Sequence, residues 1–159
     1  VEFQRAQRTD PERIFIVAKN TYSTASLAAN QWVAFDAITD EDGLSVTKIV
    51  TDLRNCVAGV VVETIAHGDY GLVQVYGYRA GARCSGGSGL NTSKISEGTY
   101  LHVKTSGFAC HGLHTIASTV VIQPWKLDKV GFAMSPLNTA AKATSATTWV
   151  GKVFVKCLG

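Results

Sequence analysis

Charge is scarce in this sequence. Only 17% of its 159 residues are Asp, Glu, Lys or Arg, against roughly a quarter in an average soluble domain. The charges sum to +3 and are dispersed, with small basic groups at Arg5, Arg8 and Arg13, at Arg79 and Arg83, and at Lys126 and Lys129. Proteins that recognise nucleic acid concentrate such residues into one stripe, so direct nucleic-acid binding is not expected. Long apolar runs are also missing. None reaches the roughly 18 residues of a spanning helix. The opening VEFQRAQRTDPER is polar where a secretory leader is basic and then apolar. No membrane partner is expected. A first residue of Val is what trimming of Met-Val leaves, so this end is expected to be native. With hydrophobic residues at 46%, the scant charge fits a surface partly covered by partners, and equally an ordinary β domain.

Paired cysteines are absent as well. Cys56, Cys84, Cys110 and Cys157 form no CxxC, and a chain of this length needs no disulfide framework. They read as small buried hydrophobes. Cys110, His111 and His114 cluster in sequence, but a structural zinc site takes about four ligands, so a loop without metal is expected. The glycine-rich stretch Cys84–Gly89 lacks the Gly-Lys-Ser/Thr of a phosphate loop and the strand–helix setting of a dinucleotide fingerprint. It reads as a loop tip, and no cofactor is expected. His67, Asp69 and Ser85 or Ser88 can be drawn as a triad, but no nucleophile elbow is present and a triad is defined by geometry. His67-Gly68-Asp69 reads as turn residues. The carboxylates lie mostly in the first residues and in the Asp40–Asp42 turn, so no acid–base pair is assembled. The chain is not expected to be an enzyme.

What the sequence does contain is a succession of short β-type runs. Strands are predicted at Ile14–Ala18, Gln31–Asp36, Leu44–Val50, Val57–Ile65, Leu72–Tyr78, Tyr100–Lys104, Thr119–Ile122, Gly131–Met134 and Thr147–Leu158. The basis is alternation of period two and β-branched or aromatic content between turn signals. Val57–Ile65 and Leu72–Tyr78, joined by Ala66–Gly71, read as a central hairpin. Gly59 and Gly77, inside these strands, mark a bulge or the close approach of another backbone. No sustained helical stripe occurs, and Asn138–Ala146 reads as a loop or single turn. The fold class is all-β, a small antiparallel sandwich or barrel. Residues 1–13 form an extended arm, and 14–159 one β domain. Trp32, Trp125 and Trp149 are expected in the core.

The hairpin run Val57–Gly77 and the closing stretch Trp149–Leu158 resemble small virion structural proteins of tailed double-stranded-DNA bacteriophages, in particular head decoration, or capsid cement, proteins. The resemblance covers about a quarter of the chain in detail. It implies a protein made in the host cytoplasm and carried on the capsid surface of the virion, where it clamps neighbouring major capsid subunits. Its implied partners are the major capsid protein and, as a dimer or trimer, itself. A tail-tube, fibre or spike module is the alternative, and a β-fold enzyme or carbohydrate-binding module a further one. The residues expected to touch partners are Phe3, Arg5, Arg8 and Arg13 of the arm, since Arg and aromatic side chains anchor interfaces. Tyr76 and Tyr78, which leave the hairpin on one face, are read as core or contact residues.

Overall fold

The computed structural model describes residues 12–40, 44–49, 56–85, 94–95, 97–98, 100–103, 110–112, 130–135, 137–138 and 148–157. The β-branched and aromatic runs form strands β1 (Arg13–Asn20), β2 (Trp32–Phe35), β3 (Ser45–Lys48), β4 (Val57–Val61) and β5 (Tyr70–Ser85). After these come β6 (Lys94–Ile95), β7 (Tyr100–Val103), β8 (Cys110–Gly112), β9 (Gly131–Ala133), β10 (Leu137–Asn138) and β11 (Thr148–Lys156). No helix occurs among the described residues. The fold is all-β, as the sequence pattern predicts.

One sheet of nine strands runs β1-β3-β2-β4-β5-β11-β9-β7-β8, and β5 pairs in addition with both β1 and β8. The sheet therefore closes on β5 twice. One ring is β1, β3, β2, β4 and β5; the other is β5, β11, β9, β7 and β8. Strands β6 and β10 pair separately. The pairing is mostly antiparallel, as expected of a small antiparallel barrel, with two parallel pairs that ring closure requires. Antiparallel neighbours alternate in direction, and five strands cannot alternate all the way round a ring. Each ring accordingly contains a parallel pair, β1–β3 in one and β5–β8 in the other.

Each ring has its own core. Ala18, Leu27, Val33, Val46, Ala58, Val61, Ile65 and Val73 cluster in the first. Trp32, Ala34, Val60, Leu101, Val153 and Val155 belong to the second. Strands β2 and β4 supply both cores, which is why they read as unbroken apolar runs rather than alternating ones. In β4 the alternation slips: Val57 and Val60 face one core, Ala58 and Val61 the other. The cause is a bulge, since Val33 pairs with Gly59 and Ala34 with Val57, leaving Ala58 over. Gly59 is also where another backbone comes close, because an added Cβ would run into the Gln74 carbonyl.

The central hairpin is present, with Val60 opposite Gln74 and Val61 opposite Val73, but its limits differ from the prediction. Strand β4 stops at Val61. Ile65 instead bridges back to Leu27. Strand β5 continues to Ser85, because β11 pairs with it from Tyr76 to Ser85 after β1 and β4 have left. Cys84, read both as a small buried hydrophobe and as the start of a loop tip, is thus a buried core residue at the end of a strand. Strand β1 begins at Arg13, so Arg13 is a sheet residue rather than the end of an arm. Residues 1–11, the run Thr119–Ile122, Trp125 and the glycine cluster after Ser85 lie outside the described residues.

Cys157 packs against the second core, and burial pushes its thiol up to about 12. Alkylation needs the thiolate. Native protein treated with iodoacetamide at neutral pH is expected to leave Cys157 unmodified, and unfolded protein to label it. Peptide mass spectrometry checks this; prompt labelling in the native state would contradict the packing.

Candidate functional site

The buried polar side chains serve the fold. Asn20, fully buried, donates to the carbonyls of Ala25 and Ile65 (3.0 and 2.9 Å) and accepts from the amide of Tyr22 (2.8 Å). It ties the end of β1 to two loops. Arg79, one of the dispersed basic residues of the sequence, is half-buried. Its guanidinium donates to the carbonyls of Val61 and Val62 (2.9 and 3.3 Å) and to Asn30 Oδ1 (2.7 Å). Burial, and then the charge of Arg13, lower its pKa. Four of its neighbours are neutral acceptors, Gln74 Oε1 at 3.4 Å being the fourth. The residue stitches β5 to the segment after β4.

Asp36 is buried and accepts from the hydroxyls of Thr21 and Thr39 and the Thr39 amide. Burial works to raise its pKa, but these hydrogen bonds outweigh it and hold the carboxyl below 3.8. A pKa depressed by folding gives stability that is present above the unfolded value and lost as pH falls through the folded one. The melting temperature is therefore expected to fall more steeply below about pH 4 in the native sequence than in Asp36→Asn. Parallel acid profiles for the two proteins would refute this role.

His67-Gly68-Asp69 does form a turn. The Gly68 amide donates to the Asn20 carbonyl (2.8 Å), and the Asn20 amide donates to the Asp69 carbonyl (2.9 Å). His67 and Asp69 are exposed. Ser85 ends β5, and Ser88 lies outside the described residues. Cys110 and His111 lie in β8, and His114 is outside the described residues. No group of three or more His, Cys, Asp or Glu that could hold a metal occurs among the described residues.

The distinctive surface lies elsewhere. In β11, Val153 and Val155 are buried in the second core, so by alternation Phe154 and Lys156 face outward. Phe132 of β9 stands opposite Phe154 and stacks on it, with centroids 5.0 Å apart and planes 7° from parallel. From the other side Tyr76 of β5 meets Phe154 at 5.1 Å, edge to face at 85°. Tyr78 is the register partner of Phe154, and Lys156 that of Tyr76. Tyr100, 48% exposed, pairs with Phe132 and extends the row to β7. These side chains make an aromatic ladder across four strands. A second apolar patch lies on the first ring. There Val17 (61% exposed) is opposite Leu72, flanked by exposed Phe15 and Tyr70.

The ladder contains two of the residues expected to touch partners, Tyr76 and Tyr78, each half-buried; exposed Arg13 is on the neighbouring strand β1, paired with Gly77. Phe3, Arg5 and Arg8 lie outside the described residues. Sequence reasoning missed Phe132, Phe154, Lys152, Lys156 and Tyr100. The alternation of Lys152-Val153-Phe154-Val155-Lys156 carries part of that signal, because its two Val residues mark the inner face.

No family model matches the chain, and no curated protein matches it. Among solved structures, the N base of head fibre gp8.5 of bacteriophage phi29 is similar at a TM-score of 0.43 and 13% identity, covering 92% of this chain and 96% of that one. The fold described above rests on the strand pairings alone.

Proposed function

We propose that the chain is a non-enzymatic structural protein of a tailed double-stranded-DNA bacteriophage, binding the outer capsid surface and clamping neighbouring major capsid subunits. The observation that carries the binding role is the aromatic ladder, since contiguous apolar surface on a small domain marks a site for another protein. The resemblance of the Val57–Gly77 hairpin and the closing strand to decoration proteins supports the choice of partner. Individual contacts of this size are modest, and repetition over a shell turns them into high avidity.

The test is the copy number in purified particles of the phage that encodes the chain, by quantitative mass spectrometry against the major capsid protein. Roughly one copy per capsid subunit, or a simple symmetry fraction of it, is the expected result. A few copies per particle would replace shell clamping with a tail, fibre or spike role. Absence from particles would overturn the virion reading altogether.

A further inference from the structure

None of the strands of either ring contains an Asp or Glu. On the ladder two lysines add positive charge, since Lys152 and Lys156 of β11 are both exposed beside Phe154. Among the described residues, the carboxylates near this face lie at its margins: Glu97 in the turn before β7, and Glu12 beside Arg13. The face is thus aromatic in the middle and cationic along β11.

The ring geometry narrows the partner further. Phe132 and Phe154 come from directly opposed positions on neighbouring strands and lie nearly parallel. Rings stacked across a strand pair stand upright on the sheet and turn their edges to solvent. Phe154 has one face covered by Phe132, and Tyr76 lies edge to face with it at 85°. Bases bind by stacking on open aromatic faces, and the faces that Phe132 and Phe154 turn to each other are taken. Ring edges carry the positive side of the quadrupole, which suits carboxylate oxygens. A second copy of the same face would set Lys152 and Lys156 against like charges, which costs affinity.

The geometry points to the outer face of β5, β11 and β9 as a docking site for a carboxylate-rich, apolar segment of a partner protein. Phe132 and Phe154 edges and the ammonium groups of Lys152 and Lys156 receive it. This deepens the proposed function by naming the partner's chemistry, and it rests on the ladder being a protein-binding face.

The test uses a soluble probe and no virus, so that it stands or falls apart from the virion reading. A random copolymer of Glu and Tyr is titrated into the full chain at low salt, and amide shifts are mapped by NMR. The expected shifts centre on Tyr76, Phe132, Lys152, Phe154 and Lys156. The double variant Lys152→Glu/Lys156→Glu is expected to bind about tenfold more weakly or worse, as is the native protein at about 0.5 M salt, where screening is strong. Lys19→Glu, which changes charge beside the other apolar patch, is expected to bind as the native protein does. Shifts centred elsewhere, equal binding by the double variant, or tighter binding of oligothymidylate would each overturn the inference. Copolymer binding at the ladder by a chain absent from particles would leave this inference standing and remove the virion reading. A chain abundant in particles whose ladder ignores the copolymer would do the reverse.

Discussion

Gly77→Val is expected to cost roughly 3 kcal/mol or more of folding stability, the sum of backbone strain and steric overlap. Gly77 sits at φ +98°, a conformation that a β-branched residue adopts only with strain. An added Cβ would also run into the carbonyl of Glu12 and lie 3.1 Å from the Arg13 Cα. Backbone cannot swing aside as a flexible side chain can, so the start of β1 must leave β5. Strand β1 closes the first ring, and its loss exposes that core. Gly68→Val is the control. Gly68 has φ +83°, with nothing within 4 Å of an added Cβ, so it pays strain without overlap, about 1–2 kcal/mol. Urea denaturation of both variants measures the difference. The melting point of the Gly77 variant should fall by roughly 10 °C, at 2–4 °C per kcal/mol for a chain of this size. Equal losses for the two variants would mean that β1 does not lie against Gly77.

Trp32→Ala should be comparably damaging, at about 3–5 kcal/mol. Trp32 is 0% exposed and belongs to the second core although its strand is part of the first ring. Its indole Nε1 donates to the Arg83 carbonyl (3.1 Å), so truncation leaves both a large cavity and an unpaired carbonyl. Trp32→Phe keeps much of the volume and forfeits mainly the hydrogen bond, for a smaller loss of about 1–2 kcal/mol. Domains of this kind are stable by only about 5–15 kcal/mol, so the Ala variant is expected to be partly unfolded well below the native midpoint. A loss under about 1 kcal/mol, the size of an ordinary surface change, would place Trp32 on an open surface. The second ring would then not close over it.

Both variants probe the same feature, a chain folded around one shared strand. That sharing also explains how the ladder arises. Strand β11 pairs with β5 from Tyr76 to Ser85, which brings Tyr76 against Phe154 and places Tyr78 opposite it in register. The described carboxylates, Asp36, Asp40, Glu63 and Asp69 among them, lie outside the strands of both rings.

The sequence by itself determined the class of the fold and most of the strands, because alternation of side chains is a local property that each segment carries alone. Ile14–Ala18, Gln31–Asp36, Leu44–Val50, Tyr100–Lys104 and Gly131–Met134 all overlay strands for that reason. The two interior glycines were legible too, since a missing side chain in a β run has few other uses. Tertiary structure alone decided what depends on distant partners. Val62–Ile65 looks like strand but leaves β4, because Ile65 finds Leu27 instead. Cys84 reads as the start of a loop tip but stays in strand, because β11 holds β5 in line. Arg79 reads as one of several dispersed basic residues but is a half-buried tie, because neutral oxygens from Asn30, Val61 and Val62 converge on it. The ladder of Tyr76, Phe154, Phe132 and Tyr100 comes from four strands brought into register by ring closure, and register is a relation between segments that no single segment encodes.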